Sequence, residues 1–108
     1  MIVKLPTPLP LALNDANFLK RLRAAAVDSA KIVIVPHAKQ RMKERYITRG
    51  QVIACLLKGT ISEPAHLTPH GDWKATLTHR AAGDHVGVAV AIEAKENGDY
   101  CIVVTVMK

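Results

Sequence analysis

Apolar side chains at Phe18, Leu19, Leu22, Ala25 and Ala26 recur at helical spacing, behind an Asn14 or Asp15 suited to cap a helix. This spacing predicts a helix over about 15–27. Ahead of it, Pro6, Pro8 and Pro10 forbid regular helix and restrict their neighbours, so residues 1–13 are expected as an extended arm. Lys31 to Val35 is a short β-branched run, and Pro36 then suits the first turn of a helix expected to reach about Tyr46. Thr48 with Gln51 three positions on forms a capping box, after which Val52, Ile53, Leu56 and Leu57 make a wide apolar stripe. Gly59 is the expected left-handed end of that helix.

From Thr60 onward the helical period is lost. Thr60 to Glu63 reads as a short strand, and residues 64–71, with two prolines and two histidines, as a loop. Trp73, Ala75 and Leu77 alternate with Lys74, Thr76 and Thr78, the pattern of a half-buried antiparallel strand. Val86, Val88, Val90 and Ile92 share one face of the next strand, with the small Gly87, Ala89 and Ala91 on the other, where a helix is expected to approach closely. Asn97-Gly98 is the strongest turn signal, leading into a Val- and Ile-rich closing strand from Tyr100 to Met107. The fold class is α+β: an antiparallel sheet of three to five strands, with two or three helices packed mainly on one face. Residues 1–30 read as an arm and an extra helix, and residues 31–108 as a single domain.

Composition narrows the partners. At 108 residues and 49% apolar, the chain has room for one core. Phe18, Tyr46, Trp73 and Tyr100 are its only aromatics, which argues against a broad stacking platform for bases. Ten basic and two acidic residues lie between Lys20 and Lys58, a local charge of +8, whereas the remainder carries −2. Such asymmetry favours a polyanionic partner, nucleic acid or an acidic protein. Cys55 and Cys101 sit inside apolar periodic segments, the pattern of reduced, buried thiols in a cytoplasmic protein. The first thirteen residues have neither the charged start of a signal peptide nor the apolar run of a membrane span, so no membrane association is expected.

His37, Arg41 and Arg45 recur every fourth residue and form a line down one flank of the 36–46 helix, beside the apolar Ala38 and Met42. His37 is the candidate general base. Arg41 and Arg45 supply fixed guanidinium forks that match phosphate oxygens. Each residue has a purely structural alternative, His37 as a packed residue at a helix start and Arg41 as a brace to neighbouring carbonyls. Lys39 and Lys43 lie on the outer face, where they would follow a nucleic-acid backbone with Arg49, joined by Trp73 or His79 from the sheet. His79 and His85 flank the turn at 81–84 and are candidates to face each other across it. His66 and His70 have a helical ligand spacing, but Pro64 and Pro69 oppose a helix there. There is no glycine-rich phosphate loop, and no metal or cofactor is expected.

The run His37-Ala38 through Arg41-Met42 to Arg45, then Ile47-Thr48, Val52 and a Leu-x-x-Gly ending, resembles a bacterial domain of unknown function numbered 4258. The resemblance covers about residues 31–108 and includes a closing strand like Ile102 to Val106. Tyr46 stands where the family commonly has glycine. That family is distantly similar to small toxins of the RelE and BrnT kind. The similarity implies a RelE-toxin-like fold and a metal-independent endoribonuclease of a toxin-antitoxin pair. Its catalytic residues would be His37, Arg41 and Arg45, its substrate RNA, free or on ribosomes, and its partner a small acidic antitoxin. The alternative is a basic module that binds nucleic acid or protein without catalysis.

Overall fold

A computed structural model describes residues 14–81 and 83–108; the expected arm over residues 1–13 lies outside the described residues. Helix α1, Asp15–Ala26, starts where the Asn14 side chain accepts the Asn17 amide at 2.8 Å. A 3-10 turn, Ser29–Lys31, leads into strand β1, Ile32–Ile34, and helix α2, Pro36–Arg45, follows with Pro36 in its first turn. Helix α3, Arg49–Lys58, carries the expected capping box, with Gln51 N donating to Thr48 Oγ1 at 3.1 Å and Thr48 N donating to Gln51 Oε1 at 2.9 Å. Strands β2, Thr60–Leu67, β3, Trp73–Ala81, β4, Asp84–Lys95, and β5, Gly98–Met107, complete the order.

The five strands form one mixed sheet in the order β1-β5-β4-β3-β2. Strands β2 to β5 pair antiparallel, as expected, but β1 lies parallel to β5, with Ile32 beside Cys101 and Ile34 beside Val103. The crossover from β1 to β5 spans the rest of the domain, which permits the parallel pairing. Strand β2 runs through Pro64 instead of yielding to a loop there. It is an edge strand and is broken by two register shifts, so a missing amide donor is tolerated. Glu96 and Asn97 form the tip of the β4–β5 hairpin, and Gly98 opens β5 with φ of 115°.

All three helices pack on one face of the sheet. Phe18 and Leu22 of α1, Ala38 of α2, and Val52, Cys55 and Leu56 of α3 join Ala75, Leu77, Val86, Val88, Val90, Cys101, Val103 and Val106 in one core. Full burial of Phe18 and Leu22 contributes about 1.5–3 kcal/mol each before conformational entropy is counted. The helices meet the valine face of β4, contrary to the expectation that they would meet the small-residue face. Branched side chains supply the apolar area a helix layer must cover. Gly87, Ala89 and Ala91 lie on the opposite face, which no described helix covers.

Two helix ends reverse the expected glycine chemistry. Gly59 is extended, with φ of −71°, and is required for space: a Cβ there would lie 2.5 Å from the Cys55 carbonyl oxygen and 2.9 Å from that of Thr78. The left-handed ending falls instead on Tyr46, with φ of 56° and ψ of 44°. Ile47 N then donates to the Met42 carbonyl at 2.9 Å, and Ile47 is buried, closing α2 in a Schellman-type turn. For a residue with a Cβ this conformation costs roughly 1–2 kcal/mol.

Candidate nucleic-acid interface

Helix α2 lies against β5 through Ala38 and the half-buried Met42. At about 100° per residue, Lys39 and Lys43 fall on one side of that inward line, and His37 and Arg41 on the other. The left-handed turn at Tyr46 and the Thr48 cap bring the chain round at once, so that Arg49 begins α3 close to α2. Between them is an open cavity of about 290 Å³, lined by Ile34, Lys39, Met42, Lys43, Ile47 and Arg49. Its floor is apolar, and its rim carries three cations. Pockets that hold small ligands begin near this size.

Much of the remaining basic charge is engaged elsewhere. Arg21 grips Asp99 with two hydrogen bonds of 2.9 and 3.0 Å, and this hydrogen-bonded carboxylate raises the guanidinium's hold on its proton. Arg23 bonds the carbonyls of Leu56 and Gly59, and Lys31 bonds that of Asn97 at 2.6 Å. Arg41 pairs with Glu44 at 3.3 Å. The Gln40 hydrogen bond, aided by the charges of Arg41 and Arg45, holds the Glu44 carboxyl below the usual carboxylate range. Arg49 makes one long bond, 3.4 Å, to the Ser29 carbonyl. The side chains of Lys39 and Lys43 have no hydrogen bond or ion pair among the described residues and are exposed.

The expected site residues thus divide. Lys39, Lys43 and Arg49 meet at the cavity. His37, exposed, and Arg41 and Arg45, half-exposed, do not line it. The Arg45 side chain forms no hydrogen bond among the described residues and acts on Glu44 only through space. Trp73 and His79 lie on β3, separated by β4 from the strand on which α2 packs. Six positions of strand put them about 20 Å apart, too far for one small site. His79 is opposite the buried Val86 and His85 opposite Arg80, so the two histidines occupy opposite faces and do not meet.

The cavity floor of Ile34, Met42 and Ile47 is not evident from the sequence. The signal available was a lysine on either side of Met42 just before a tight joint. Nor does the sequence mark Tyr46, which is 84% exposed and directly precedes Ile47.

Cys55 and Cys101 are free and buried, and burial pushes both thiols up to about 11. Among the described residues no three His, Cys, Asp or Glu side chains gather as a metal set, and no helix is long and apolar enough to cross a membrane.

A family model described as Domain of unknown function (DUF4258) matches residues 34–108. The chain belongs to that family. The match takes in α2, α3 and strands β2 to β5, and with them the whole cavity lining. No curated protein and no solved structure matches.

Proposed function

We propose that this member of the DUF4258 family acts on RNA, and that the corner between α2 and α3 is where it holds the phosphate backbone. The observation that carries this reading is the ring of Lys39, Lys43 and Arg49 around one apolar-floored cavity, with both lysines free of partners among the described residues. Unneutralised cations close together create a local positive field, and releasing the counterions of a polyanion then drives binding. The net charge of +6 adds a long-range attraction of the same sign. The test is RNA binding by the wild-type protein and by the Lys39→Glu/Lys43→Glu variant at one salt concentration. Loss of binding in a variant that still folds supports the reading, and unchanged binding contradicts it.

A second reading adds cleavage, in the manner of a toxin. It is favoured by His37, exposed and with an imidazole that has no hydrogen-bond partner among the described residues, one helical turn from Arg41. His37 takes the proton from a ribose 2′-hydroxyl as that oxygen attacks phosphorus. The bond from phosphorus to the 5′-oxygen of the next nucleotide breaks, leaving a 2′,3′-cyclic phosphate, and the departing 5′-oxygen takes a proton from water. Arg41 and Arg45 stabilise the charge that develops. For this Arg41 must exchange its Glu44 pair for phosphate, an exposed pair of small net value. The toxin reading includes a cytoplasmic setting and a small acidic antitoxin protein covering the basic face. Incubation with RNA in chelator, followed by gel analysis, decides it: fragments that disappear in His37→Ala and Arg41→Ala support cleavage. Intact RNA with wild-type protein leaves binding alone.

A further inference from the structure

Among the described residues Tyr46 is the one Phe, Trp or Tyr whose ring stands in solvent. Phe18 is fully buried, and Trp73 packs against the core. Tyr100 accepts a 2.9 Å hydrogen bond from Asn97 Nδ2 and lies beneath the Lys95 ammonium, 5.2 Å from the ring centre. Tyr46 is 84% exposed, and its hydroxyl has no partner among the described residues. Its backbone is left-handed, φ 56° and ψ 44°, a conformation glycine adopts without strain. An aromatic ring that neither packs nor bonds is thus held at a position whose backbone disfavours it. Strain held in this chain where glycine would relieve it points to a use outside the fold.

The surroundings specify that use. Lys43, three residues before Tyr46, and Ile47, directly after it, both line the cavity rimmed by Lys39 and Arg49. An exposed π-face next to clustered cations suits a ligand that combines a flat ring with negative charge. A nucleotide has both parts, and its base face is free to stack only when the strand is unpaired. Resting on the reading that this corner binds RNA, we propose that Tyr46 is a base-stacking residue and that the corner takes an unpaired nucleotide of a single strand. Lys39, Lys43 and Arg49 hold the flanking phosphates, and Tyr46 covers the base. This is a single stacking contact, compatible with the small aromatic content of the chain.

The experiment is fluorescence anisotropy with a labelled short single-stranded RNA and with a duplex of the same sequence. Tyr46→Leu is expected to weaken single-strand binding roughly 5- to 100-fold and to leave duplex binding unchanged. Tyr46→Phe, which keeps the ring, should bind like wild type. Tyr46→Gly, which removes the ring and relaxes the backbone, should lose single-strand affinity as Tyr46→Leu does without a lower melting temperature. Lys39→Glu/Lys43→Glu should weaken both RNAs. If Tyr46→Leu and Tyr46→Gly bind the single strand like wild type while the lysine variant does not, stacking is overturned and the phosphate site stands. Equal losses on single strand and duplex would also overturn it, assigning Tyr46 to the shape of the corner. Wild-type protein that binds neither RNA, or that binds an acidic peptide instead, overturns both readings.

Discussion

The Arg21 guanidinium lies on the Asp99 carboxylate through two bonds of 2.9 and 3.0 Å, joining residues 78 positions apart. This pair fastens α1 to the start of β5, beside the 3-10 turn where Lys31 meets the Asn97 carbonyl. The side chains remain 40% and 27% exposed, so solvent screens much of the attraction. Arg21→Ala is expected to lower stability by about 0.5–1 kcal/mol, less in high salt. Denaturant unfolding at two salt concentrations checks this.

The Thr48 hydroxyl caps α3 directly before Arg49, so the same bond stabilises the helix and sets one edge of the cavity. Thr48→Ala should cost about 1 kcal/mol, a fall of roughly 4–8 °C in melting temperature. Thermal unfolding followed by circular dichroism reads it.

Tyr46 and Gly59 should respond in opposite senses to the usual glycine rule. Relief of the left-handed conformation makes Tyr46→Gly neutral or stabilising, by up to about 1 kcal/mol, after glycine's greater unfolded-state entropy is offset. Gly59→Ala places a Cβ against two backbone carbonyls and should cost about 1–3 kcal/mol. Paired melting curves test both, and a Tyr46→Gly variant that melts well below wild type would contradict the strain assignment.

The two buried thiols make stability depend on pH at the alkaline end. Burial raises both from the ordinary 9.0 to about 11 in the folded protein. Below about pH 9 both states keep the proton, and the contribution of the neutral thiols is complete. Between about 9 and 11 only the unfolded chain ionises, so stability falls by about 1.4 kcal/mol per pH unit for each thiol. Urea unfolding from pH 8 to 11 should show this decline, and Cys101→Ala should halve its slope.

Features set by neighbouring residues were legible in the sequence. The Thr48–Gln51 cap, the Asn14 cap and the valine face of β4 each follow from side chains within a few positions. The parallel pairing of β1 was not legible, because three residues carry no sign of which distant strand they will join. Pro64 misled because its cost depends on whether a strand lies at an edge, which only the whole sheet decides. At the candidate site, the charges of Lys39, Lys43 and Arg49 could be read directly, but their convergence depends on the angle between α2 and α3. That angle is made at Tyr46, where a bulky residue in a left-handed conformation defeats the expectation of glycine.

The salt dependence of single-stranded RNA binding tests the central claim most directly. Each phosphate neutralised should contribute about 0.7 log unit of affinity per log unit of salt, so Lys39, Lys43 and Arg49 together predict a slope near −2. In Lys39→Ala/Lys43→Ala the slope should shrink by about 1.4. A wild-type protein without RNA affinity, or a slope that the double substitution leaves unchanged, would contradict the account.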